Sequence, residues 1–249
     1  GIFIVLLILG VLLLFSNLHF KESLSVDNRK RGNLKSLVSS FGIVLKNRRY
    51  VYYVLQMGFA MGVLFANISS SPFIVQQHYG FSAFEFSLFF GINALAIGLA
   101  AGLSVKFKNP EHAMFLGSVG MTIMSAVEFV ILSNEYHFAV YEAVLFVLLF
   151  SMGLTFTAST TLAMDCERAN SGTASALFGA AGFAFGGIVS PLVGLGDILS
   201  TTGLIFFVCS VCSLCFSVFA MNQTHTNLWG SFKCKMGPVA RFVFLRREK

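Results

Sequence analysis

Gln56, Asn67, Asn93 and Thr155 each interrupt a long apolar stretch of this sequence. Amides and hydroxyls are costly in hydrocarbon, and they persist there to bond neighbouring helices or to line the path of a polar ligand. Gln56, Ala60, Val63 and Asn67 fall at i, i+4, i+7 and i+11, so the two amides share one helical stripe. The four residues are expected to face a central cavity and bind substrate, with Phe89 or Phe90 offering aromatic surface; bonding between helices is the competing expectation for each. Glu128 and Glu142 are carboxyls that could exchange protons. Both stand near the end of a stretch, so they read as shallow, with a hydrated interfacial acid as the alternative role.

Other residues suit gating or structure. Asp165, Glu167 and Arg168 form a charged cluster between two stretches, fitted to hold helix ends in one state. Gly98 and Gly102, like Gly182 and Gly186, have the small-xxx-small spacing of close helix crossings. Pro191 lacks the N–H for its helical hydrogen bond and is expected to kink its helix. No Ser/His/Asp arrangement, phosphate-binding loop or metal-ligand spacing occurs, and His78, His112 and His137 stand at stretch edges. No enzyme, cofactor or metal is expected, and an ion gradient is the expected energy source. Cys209, Cys212 and Cys215 superficially match an iron–sulfur run. Without a fourth cysteine placed to complete it, they read as packing residues on one helix face.

The elements that must position these residues follow from composition. Hydrophobic residues make up 56% of 249 and charged residues 11%, against roughly 25% charged in soluble domains. Lipid is therefore the expected solvent. Long continuous apolar runs exclude a β-barrel, whose segments alternate. Seven spans are predicted: Ile2–Phe15, Val51–Val75, Phe86–Phe107, His112–Ser133, Phe138–Met164, Gly172–Gly196 and Ile198–Met221. All but the first approach or exceed the roughly 20 residues needed to cross the hydrocarbon. The first has no basic n-region or cleavage site, so it is no signal peptide; it reads as a helix cut short.

Eight of the 17 Lys and Arg lie in Ser16–Arg49. The others are Lys106, Lys108, Arg168 and six in the tail after Met221, while the intervening loops have none. The positive-inside rule then places every basic loop and the C-terminus in the cytoplasm. The net charge of +6 faces lipid headgroups, not nucleic acid. Within Ser16–Arg49, Leu34, Leu37, Phe41, Val44 and Leu45 predict an amphipathic surface helix. The organisation is thus 1–15, a truncated helix; 16–49, a basic linker; 50–221, a six-helix bundle; and 222–249, a basic tail.

The run from Ser87 to Gly98 can be laid over Ser175 to Gly186, with Ser, Phe, Gly, Ala and Gly recurring 88 residues apart. The two copies cross in opposite directions, as the middle helices of inverted three-helix units. Several strings resemble the major facilitator superfamily, specifically its bicyclomycin-resistance-like (Bcr/CflA) drug:proton antiporters. They are Ile68-Ser-Ser-Ser-Pro72-Phe73, His78-Tyr79-Gly80-Phe-Ser82, Phe90-Gly-Ile-Asn93-Ala94, and above all Thr161-Leu-Ala-Met-Asp-Cys-Glu167-Arg168-Ala-Asn-Ser-Gly172-Thr173-Ala174-Ser175, continued by Gly186-Gly-Ile-Val-Ser190-Pro191.

The resemblance covers about residues 1–221. It implies an all-α, twelve-helix transporter working by alternating access in the cell (inner) membrane, of which this chain matches the sixth to twelfth helices. The implied partners are the lipid bilayer, a small amphipathic substrate, protons and a missing N-terminal half. That half carries most of the charged residues tied to proton coupling, so coupling is implied by the resemblance alone. Two other functions stay open: a nutrient or metabolite facilitator of the same superfamily, which a strong charge partner in the cavity would favour, and an inactive membrane fragment or assembly partner.

Overall fold

The structure, a computed structural model, describes residues 1–20 and 34–235. Lys21, Arg29, Lys30 and Arg31 of the basic linker, and tail residues 236–249, lie outside the described residues. Two units are distinguished, Gly1–Val38 and Ser39–Lys249. The first contains α1 (Ile2–Leu18), a 17-residue apolar helix without a charged side chain. Helix α2 (Leu34–Leu45) follows, and its Val44 is buried.

The second unit holds α3 (Arg48–Pro72), α4 (Ala83–Ser104), α5 (Pro110–Ser133), α6 (Phe138–Cys166), α7 (Ser171–Leu192) and α8 (Ile198–Lys235). Every regular element among the described residues is helical, and these six are long and apolar enough to cross a membrane. Local sequence sets their starts. Asn47 accepts the amides of Arg49 and Tyr50 to cap α3, and Ser82 and Glu85 form a capping box on α4. Asn109 caps α5 ahead of Pro110. Asp197 accepts the Ser200 amide at 2.9 Å to cap α8; bonds from that amide and the Ser200 hydroxyl hold its carboxyl below the usual aspartate range. Helix α8 does not stop at the Met221 boundary but runs on to Lys235.

Packing follows the repeat. Helix α3 packs on α6, α7 and α8, and α5 packs on α6 and α8; α4 packs chiefly on α6. Exchanging α3 with α6, α4 with α7 and α5 with α8 maps this pattern onto itself, as two related three-helix units require.

The glycine crossings are only partly those expected from spacing. A Cβ at Gly98 or Gly102 would meet no heavy atom within 4 Å, so neither makes the close crossing. On α4 and α6 the close approach is at Gly153, whose added Cβ would meet the Ile97 carbonyl and would lie 2.9 Å from Ala100 Cβ. Gly182 and Gly186 do face α3, at Met61 and the Phe65 ring, while Phe185 of α7 covers Gly58. Pro191 lies in the last turn of α7, which tightens at once into a 3₁₀ turn, Val193–Leu195. The change of helix type is therefore at the helix end, immediately after Pro191.

Candidate functional site

A recess between α3, α4 and α6 opens to the outside and has room for about one water-sized group. Asn67, Ser71 and Val75 supply one wall and Phe86, Phe89, Phe90 and Asn93 a second; Tyr141, Glu142 and Leu145 supply the third. The first wall is shaped by Pro72, after which the backbone widens into a π-helical stretch, Phe73–His78. Proline supplies no N–H to the helical ladder, and π-turns in helices recur at functional sites. The Ser71 hydroxyl bonds back to the Asn67 carbonyl just before it. The second wall depends on the Gly80 turn, with φ of +76°, and on the capping box that starts α4. Behind the recess Phe138 gathers the rings of Phe81, Phe89 and Tyr79 at 4.3, 4.7 and 5.2 Å.

The polar centre of the recess is a bond from Asn93 Nδ2 to Glu142 Oε1, 2.9 Å long. The side-chain oxygens of Asn67 and Asn93 are buried without a partner. An unsatisfied buried acceptor costs about 1–3 kcal/mol, which a ligand donor would recover. Four of the six residues expected to bind substrate, Asn67, Phe89, Phe90 and Asn93, thus line one recess, and Glu142 joins them.

Gln56 and Thr155 lie elsewhere. Gln56 is fully buried; its carbonyl oxygen accepts the Ser159 hydroxyl and its amide donates to Ser213 at 3.0 Å. Thr155 is buried and donates to the Met114 carbonyl at 3.4 Å. Both tie helices together, the role set against the cavity role in the sequence.

The carboxyls are deeper than their distance from the loops implies. Glu128 is 0% exposed, and neither of its oxygens has a partner among the described residues. It stands on α5 within electrostatic reach of Glu142. Glu128 is closed in where α5 packs on α6 and α8, whereas Glu142 is half-buried and lines the recess.

The charged cluster divides. Arg168 pairs with Asp165 at 2.9 Å in an exposed turn, whereas Glu167 accepts Asn47 Nδ2 at 2.8 Å. A larger clamp at the same end went unread in the sequence. Arg49 pairs with Glu111 at 3.0 Å and donates to the Tyr53 hydroxyl at 3.2 Å, and the Tyr50 hydroxyl donates to the Ala174 carbonyl at 2.6 Å. The start of α3 is thereby bonded to α5, to the end of α6 and to α7. The available signal was topological: Arg49 and Glu111 both begin helices at the basic end of the bundle.

Comparison with known proteins agrees with this architecture. Residues 1–191 match the Major Facilitator Superfamily. The chain is 36% identical over 215 residues to an uncharacterized MFS-type transporter, YdgK, of Bacillus subtilis (strain 168), with 84% of this chain and 54% of the relative covered. The chain thus spans about half the length of the curated relative it matches. A helical bundle of membrane-spanning length, a repeated packing pattern and a match over most of the sequence lead to one conclusion: this chain is a multi-pass membrane protein and belongs to the major facilitator superfamily.

Proposed function

We propose that the chain forms the C-terminal part of a secondary transporter of the Bcr/CflA drug:proton antiporter branch, exporting small amphipathic molecules by alternating access. The observation that carries this reading is the recess, where a carboxyl, two amides and three phenylalanines from three helices meet inside an apolar bundle. Family membership supports a transport role, and the string from Thr161 to Ser175 at the α6–α7 turn supports the branch. Asn67, Asn93, Phe89 and Phe90 contact substrate, and Glu142 and Glu128 exchange protons. A second six-helix half completes the transport path, as the relative's greater length suggests. The basic helix ends, with the linker and tail, face the cytoplasm.

Glu142 also supports a second reading. A fixed charge in the cavity suits a facilitator that moves a nutrient or metabolite. Everted vesicles carrying the full-length gene product separate the two. Drug accumulation that a protonophore abolishes, and that Glu142→Gln removes at unchanged protein level, supports antiport. Protonophore-insensitive equilibration favours the facilitator. No flux in either format leaves only an assembly role.

A further inference from the structure

We propose that the recess between α3, α4 and α6 selects organic ammonium ions that carry N–H donors, over neutral molecules and over quaternary cations of the same size. The proposal rests on reading the recess as the substrate site, and it follows from which hydrogen-bonding groups remain unused there.

Two donors of the recess are committed. One Asn93 amide hydrogen is directed to Glu142 at 2.9 Å, and the Ser71 hydroxyl is bonded to the Asn67 backbone carbonyl. The acceptors that remain are the side-chain oxygens of Asn67 and Asn93, each buried without a partner, and the second carboxyl oxygen of Glu142. These oxygens belong to residues on α3, α4 and α6 that line the one recess. No Lys, Arg or His is among the lining residues. The second Asn93 N–H, the Asn67 amide nitrogen and the Tyr141 hydroxyl retain donor capacity, but none brings positive charge.

A protonated primary amine presents three N–H donors and a charge, and bonds between such a donor and a carboxylate are the stronger, charge-assisted kind. A quaternary ammonium has the charge without the donors, so the orphan oxygens stay unpaired. An alcohol has one donor and no charge. The recess has room for about one water-sized group, so the ammonium head alone enters it. The ligand's body then rests on Phe90, which is 39% exposed and stands 5.7 Å from the Phe86 ring. Aromatic faces near a cation add attraction of their own.

The test titrates the full-length gene product in detergent near neutral pH with three probes: 2-phenylethylammonium, its N,N,N-trimethyl counterpart and 2-phenylethanol. The primary ammonium is expected to bind at least about tenfold more tightly than either of the others. Glu142→Gln is expected to erase its advantage over the alcohol. Equal binding of the three probes, preference for the trimethyl compound, or no binding of the primary ammonium at millimolar concentration overturns the proposal. The wild-type series alone decides it if the variant does not fold. Binding in detergent needs no gradient, so it separates from transport. Amine preference without protonophore-sensitive flux refutes the antiport reading and leaves the site. Protonophore-sensitive flux indifferent to the amine refutes the selectivity and leaves antiport.

Discussion

Replacing Gly153 by alanine places a methyl group against the backbone of α4. The added carbon would meet the Ile97 carbonyl oxygen, lie 3.0 Å from Ile97 Cα and 2.9 Å from Ala100 Cβ. Carbon atoms rest at about 3.5–4.0 Å, and a backbone carbonyl in a helix cannot rotate aside. Helices α4 and α6 must therefore part by roughly 0.5–1 Å. Overpacking of this kind costs about 1–3 kcal/mol. Gly98→Ala is the internal control, because its methyl group enters open space. Both substitutions gain the same helical advantage of alanine over glycine, about 0.5–1 kcal/mol, so the difference between the variants isolates the crossing. Gly98→Ala should match or exceed wild-type stability, with Gly153→Ala lower by about 1–3 kcal/mol. The same separation stretches the 2.9 Å bond between Asn93 and Glu142, so ligand binding in the recess should weaken in the Gly153 variant alone. Thermal unfolding in detergent, read by loss of the monodisperse peak, measures stability. Equal stability of the two variants, or a deficit in Gly98→Ala, would refute the reasoning.

Gln56→Leu removes bonds to Ser159 and Ser213; interhelical bonds in membranes average about 0.6 and reach about 1.7 kcal/mol each. A loss of roughly 1–3 kcal/mol in unfolding measurements is expected, with probe selectivity unchanged because Gln56 is away from the recess. A double-mutant cycle on Arg49 and Glu111, whose side chains are 29% and 10% exposed, should give a coupling of about 1–3 kcal/mol, between the surface and buried regimes. The same cycle on Arg168 and Asp165, 80% and 52% exposed, should stay within about 0.5 kcal/mol. Asp197→Ala removes the cap of α8 and should cost about 1 kcal/mol. Because the folded carboxyl titrates below its ordinary value, the cap's stabilisation should be full above the usual aspartate range and fade as pH falls through the lowered value. A stability difference between Asp197→Ala and wild type that grows on acidification would contradict this.

The spans and the family were legible in the sequence because both rest on long, continuous patterns. Apolar length fixes a membrane helix, and the repeat from Ser87 and Ser175 fixes which helices correspond. Half of the site was legible for a related reason, since Asn67 and Asn93 stand out against apolar surroundings. Gln56 was misplaced because sharing a stripe with Asn67 says nothing of depth: eleven residues span roughly 16 Å along a helix, enough to change every neighbour. Glu128 and Glu142 looked shallow because sequence measures distance to a loop, whereas burial depends on what packs alongside. Gly153 was missed and Gly98 over-read because spacing identifies a small residue but not the partner that needs it. The pair of Arg49 and Glu111, 62 positions apart, carries no local signature at all.

The placement of glycine in the two repeats has a consequence for assembly. At the 88-residue offset, Phe65 corresponds to Gly153 and Gly98 to Gly186. One copy sets a ring of α3 into a hollow on α7; the other sets the backbone of α4 into a hollow on α6. Lipid tails are as apolar as the helices, so hydrophobicity cannot tell one helical partner from another, and shape must. If α7 docked on α6 in place of α3, Gly186 would face Gly153 and hollow would meet hollow. Shape thereby turns α7 away from the seat of α4 as the chain inserts.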